Sequence, residues 1–110
     1  MTVIARWLWA PIIAVCACSA AAQTEVRAEL WDRPRTGAAI VADESVKRAV
    51  GELLAKPQSQ LVIHHAAGQE PLSQAEELKA WLAALAIDSR RIVLRSGLPA
   101  AAPIGLEVIE

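Results

Sequence analysis

Two adjacent histidines, His64-His65, end an apolar run that begins Leu61-Val62-Ile63, and they are the only histidines in the chain. Imidazole is the side chain best suited to ligate a metal or move a proton near neutral pH. Neighbouring residues of a strand point to opposite faces, so the two rings are poorly placed to share one ion. No His-x-x-Glu or His-x₃-His spacing supplies further ligands. A periplasmic metal-binding accessory protein using His64 and His65 is therefore the alternative reading. The leading one puts these histidines and Gly68 at a strand end, where ligand loops cluster in α/β sheets. Further on, Arg90, Arg91 and Arg95 form a local basic cluster that would grip a carboxylate through bidentate hydrogen bonds. Glu70, Glu76 and Glu77 lie around a helix start, where carboxylates favour the helix dipole. Acid–base catalysis by such a group would require burial or a facing partner. No serine sits in a Gly-x-Ser-x-Gly setting, and no Gly-rich phosphate loop occurs. His64, His65, Gly68, Arg91 and Arg95 thus form the candidate binding surface of a non-enzymatic protein, with no catalytic residue, metal site or cofactor assigned.

These residues must be positioned by a strand, a helix and a second strand. Leu61 to Ala66 is a near-continuous apolar run, the mark of a strand covered on both faces as parallel strands usually are. Ser73-Gln74-Ala75-Glu76 has the Ser-x-x-Glu form of a capping box, which predicts a helix start at Ser73. Ala75, Leu78, Leu82 and Leu85 then make a buried seam, widened by Trp81, with Ile87 closing over the helix end. Arg91 to Arg95 alternates as a strand, Ile92 and Leu94 to one side and Arg91, Val93 and Arg95 to the other. Upstream, Val46, Ala49, Val50, Leu53 and Leu54 keep a 3.6-residue period between Asp43, a plausible N-cap, and Pro57. A short extended piece is expected around Glu29-Leu30-Trp31, with Trp31 lying over one end of the core, and a turn at Gly37. Ser96 to Pro103 reads as a loop, and Ile104 to Ile109 as a last strand. The expectation is an α/β fold (an α+β sandwich), a small mixed sheet with two helices packed on it, in β-α-β-α-β-β order.

Composition bounds what such a domain would meet. At 110 residues there is room for one small domain. A formal net charge of −1 offers no bulk attraction for nucleic acid, and the absence of Tyr and Phe argues against base-stacking platforms. Residues 1–22 read as a secretory signal peptide, with Arg6 as the n-region charge, an apolar stretch from Trp7 to Ala17, and small residues at Ala20-Ala21-Ala22. An uncleaved anchor, or a lipobox with Cys18 lipidated, would instead give membrane contact. Both cysteines, Cys16 and Cys18, lie in this leader, so its removal leaves no disulfide. Residues 23–36 read as a polar spacer and 37–110 as the folded domain.

A leader, a spacer and then strand–helix–strand–helix–strand with a terminal strand resembles the OmpA-like peptidoglycan-associated domain. Leu61-Val62-Ile63 is similar to that family's central strand, Leu72-Ser73 to the Leu-Ser of its second helix, and Leu85-Ala86-Ile87 to its Leu-x-x-x-Gly-Ile ending. The resemblance implies a periplasmic cell-envelope module associated with peptidoglycan and the outer membrane, gripping diaminopimelate. Yet His65-Ala66-Ala67-Gly68 stands where the family carries Gly-x-Thr-Asp, and Gln74, Glu76 and Glu77 occupy the region of its ligand-holding Arg. The usual diaminopimelate residues therefore do not carry over. A secreted domain binding an envelope protein or another feature of the peptidoglycan is the expected function.

Overall fold

The computed structural model describes residues 24–110, so the signal peptide, anchor and lipidation readings of the first 22 residues lie outside the described residues. The chain forms β1 (Thr24–Glu25), a 3₁₀ turn (Ala28–Asp32), α1 (Gly37–Ala42), α2 (Glu44–Ala55), β2 (Gln60–Ala66), α3 (Gln69–Ala84), a second 3₁₀ turn (Ser89–Arg91), β3 (Ile92–Leu98) and β4 (Gly105–Ile109). The four strands make one mixed sheet in the order β1-β4-β2-β3. β2 runs parallel to β3 and antiparallel to β4, which also pairs antiparallel with β1. This is the expected α+β sandwich, with α1 as an additional short helix.

One face of the sheet carries the core. Val26, Leu61, Ile63, Ile92 and Leu106 cluster there with Val46, Ala49 and Leu53 of α2 and Ala75, Leu78 and Leu82 of α3. Among the described residues, all helical packing falls on this face. β2 is covered on both faces as expected, Leu61, Val62 and Ile63 each being 0% exposed, although its partner β4 returns antiparallel without a crossover helix.

Several local expectations are corrected. The segment Glu29-Leu30-Trp31 is not extended but lies in the first 3₁₀ turn, which sends Leu30 into the core and leaves Glu29 exposed. Gly37 opens α1 rather than a simple turn, with Thr36 Oγ1 accepting from Ala39 N at 3.0 Å. Asp43 does cap α2, its carboxylate accepting from the N–H groups of Ser45 and Val46. α3 begins at Gln69, four residues before the capping-box serine. Gly68 at φ 118° makes the turn into it, and Pro71 falls in the first turn, where its missing N–H removes no helical bond. Ser73 is thus an exposed residue inside the helix. β3 runs on to Leu98, shortening the expected loop.

The end of α3 holds a strained residue. Ile87 N donates to Leu82 O at 3.0 Å and Ala86 N to Ala83 O at 3.1 Å, the paired bonds of a Schellman motif. Its left-handed position is filled by Ala86 at φ 81°, where a Cβ is unfavourable by about 1–2 kcal/mol. Glycine loses more backbone entropy on folding, so Ala86→Gly is expected to stabilise by a net of about 0.5–1 kcal/mol. Thermal unfolding should show a rise of about 2–8 °C.

Candidate functional site

Parallel α/β strands present ligands at their carboxyl ends, and the carboxyl end of β2 leads through Gly68 into α3. Beside the first turns of α3 opens a cleft of about 660 Å³, bounded by Glu70, Pro71 and Gln74, by the chain from Glu25 to Asp32, and by the loop Ala101–Ile104. Its aromatic wall is Trp31, half-buried and packed against the core. Glu25, Asp32 and Glu70 bring three carboxylates to the lining, against the single cation Arg27. Among the described residues, no Ser, Thr, Cys or His lines it. An aromatic surface rimmed by charge can hold a ligand by stacking and hydrogen bonds.

Trp31 is held by a chain of contacts running back to α3. Arg35 donates from Nε and Nη2 to the two carboxylate oxygens of Glu77, at 2.8 and 3.2 Å. Its Nη1 donates to Trp31 O at 2.9 Å, and its guanidinium lies 5.5 Å from the centre of the Trp31 ring. Trp81 Nε1, one turn along α3, donates to Glu77 Oε2 at 3.1 Å. The hydrogen bond from Arg35 holds the Glu77 carboxyl below its usual range, with burial opposing and the Trp81 bond assisting. Because the folded pKa is depressed, the stabilisation is present above the unfolded-state value and is lost as pH falls through the folded one. Glu77→Gln should therefore flatten the acid limb of the stability–pH curve, measured by urea unfolding between about pH 3 and 7.

The sequence-derived surface residues do not converge. His64 lies on the sheet face away from the helices, its Nε2 2.8 Å from Glu107 Oε1. His65 points to the helical side and is 7% exposed, with Nδ1–H donating to Ala66 O at 2.9 Å. The two rings thus occupy opposite faces of β2, a poor geometry for a shared ion. Among the described residues, no three His, Cys, Asp or Glu side chains come together as a metal set. Gly68 acts as the N-cap of α3. Arg95 is exposed on β3 directly opposite His64.

Arg91 is a correction. It lies in the 3₁₀ turn before β3, at the far end of the sheet from the cleft, and its guanidinium is used internally. Nη2 donates to Leu53 O and Lys56 O, both at 2.9 Å, and Nε to Ser59 O at 3.0 Å. These are carbonyls at and just beyond the end of α2, which a helix leaves without partners. Arg91 braces the fold and is not an anion contact.

Sequence reasoning missed Arg27, Glu70 and Gln74 as lining residues, and the Arg35–Glu77 pair behind them. Those two are separated by 42 residues, so no local spacing could couple them. A tryptophan among charged residues was the one visible signal. Among the described residues, no helix is long and apolar enough to cross a membrane. Comparison with protein-family models, with curated proteins and with solved structures finds no match to this chain.

Proposed function

We propose that this chain is a non-enzymatic domain of the bacterial cell envelope that binds a wall component or partner protein through the cleft at the carboxyl end of β2. The observation that carries the reading is the half-buried Trp31 wall, immobilised by Arg35 and Glu77 and opening onto charged groups beside the start of α3. A rigid aromatic with a polar rim is the usual anchor of a binding site. The secretory leader expected from the sequence supports placing the domain in the periplasm, and the resemblance to OmpA-like modules supports peptidoglycan as the first ligand to try.

The test is co-sedimentation of the full chain with isolated peptidoglycan sacculi, with free diaminopimelate as competitor. The wild type should pellet with the sacculi, and Trp31→Ala should weaken this by about tenfold or more. Arg91→Gly, corrected for its unfolded fraction, should bind as the wild type does. Binding that survives Trp31→Ala would put the site elsewhere. A wild type that never pellets would remove the wall and leave a protein ligand.

A further inference from the structure

We propose that the apolar groove between α1, α2 and the end of α3 binds a single-chain anionic amphiphile such as a fatty acid, with Lys47 holding the head group. The groove has a volume of about 390 Å³ and shares no lining residue with the cleft at Trp31. Among the described residues, the large apolar side chains left exposed are Val41, Leu54 and Leu85, and all three line this groove. They reach it from α1, α2 and the end of α3, over a floor that includes the buried Val46 and Leu82. Hydrocarbon gathered from three elements onto one open groove stays in contact with water until something apolar covers it.

Charge and shape narrow the occupant. Among the described residues, Lys47 brings the single charge of the lining, at the end of the groove nearer the start of α2. Its ammonium is 3.6 Å from Glu44 Oε2, an exposed pair that water and salt loosen, so the cation is open to a competing anion. Lys47, Gly51 and Leu54 follow one another at i, i+4 and i+7 along one side of α2. A Cβ on Gly51 would meet nothing within 4 Å. Glycine is a poor helix former, and here its missing side chain leaves an open path from the ammonium to Leu54. That path is about 10 Å long, the reach of a medium-length alkyl chain. An extended peptide would bring backbone groups that these apolar walls cannot pair, whereas an alkyl chain brings none. A second copy would need a far larger face, since stable protein interfaces cover roughly 800 Å² per partner.

Calorimetric titration of the full chain with decanoate, kept below its micelle concentration, tests this. Decanoate should bind, and octanoate about tenfold more weakly, since each buried methylene contributes a factor of about three to four. The wild type should prefer decanoate to decyltrimethylammonium. Lys47→Glu should weaken decanoate by about fivefold and reverse that preference. Gly51→Leu should weaken both amphiphiles by about tenfold or more while raising the melting temperature, because leucine is the better helix former. Lost binding in that variant is then not lost folding. A wild type that takes up no decanoate, binding that ignores Gly51→Leu, or a preference that Lys47→Glu leaves unchanged would overturn the proposal. Anionic phospholipid vesicles bound, or self-association, in the absence of decanoate binding would overturn it in favour of a membrane surface or a second copy.

Discussion

Arg91→Ala should destabilise the domain by about 2–4 kcal/mol, because it removes charge-assisted hydrogen bonds from one half-buried guanidinium to three backbone carbonyls. Leu53 O and Lys56 O mark the end of α2, and Ser59 O lies in the link to β2. Ser59 itself is 2% exposed, with its hydroxyl donating to Lys56 O at 2.6 Å. Deleting the guanidinium leaves this buried corner with acceptors that water reaches poorly. Each degree of under-satisfaction costs more than a typical hydrogen bond gains. Arg91→Lys should recover only part of the loss, since a single ammonium cannot reproduce the fork that serves three carbonyls. Urea unfolding of the three proteins checks this, and a change below about 0.5 kcal/mol for Arg91→Ala would refute the bracing role. For a domain of this size, the expected drop in melting temperature is about 8–30 °C.

Leu53→Ala should cost about 3–4 kcal/mol, whereas Leu54→Ala should cost under about 0.5 kcal/mol. The two leucines are adjacent on α2, and both fall on the apolar stripe of the sequence. Leu53 is 0% exposed within the core cluster, so its truncation leaves a cavity in that cluster. Leu54 is 61% exposed. It lines a shallow apolar groove with Val41 of α1 and Leu85 at the end of α3, and truncation there opens no cavity. Paired denaturant titrations at constant m-value separate the two outcomes. Near-equal losses would mean that α2 sits rotated from the orientation described.

Much of this architecture was legible from local pattern. The stripe from Val46 to Leu53, the run Leu61 to Ala66 and the alternation of Ile92 to Arg95 each identify an element, because period is imposed by backbone geometry alone. Asp43 was legible as a cap because the capping bond closes within three residues. Where two local signals competed, the weaker was harder to see. Ser73-x-x-Glu76 matches a capping box, but Gly68 and Pro71 start α3 earlier through backbone conformation. The short 3₁₀ turn at Leu30 has too few residues to declare a period.

The sequence by itself determined the longer elements, α2, β2, α3, β3 and β4, and which side of each helix is apolar. The tertiary structure decided what the charged residues do. Arg91 and Arg95 look alike in a row of alternating residues, yet one caps the end of α2 from 35 to 38 positions away and the other is exposed opposite His64. Glu77 reads as one more carboxylate near a helix start, until Arg35 arrives from the other end of the domain to lock Trp31 in place. Hydrophobic periodicity is a property of neighbours along the chain. A hydrogen bond between residues dozens of positions apart depends on the packing that brings them within about 3 Å, and it leaves no mark in either residue's local sequence.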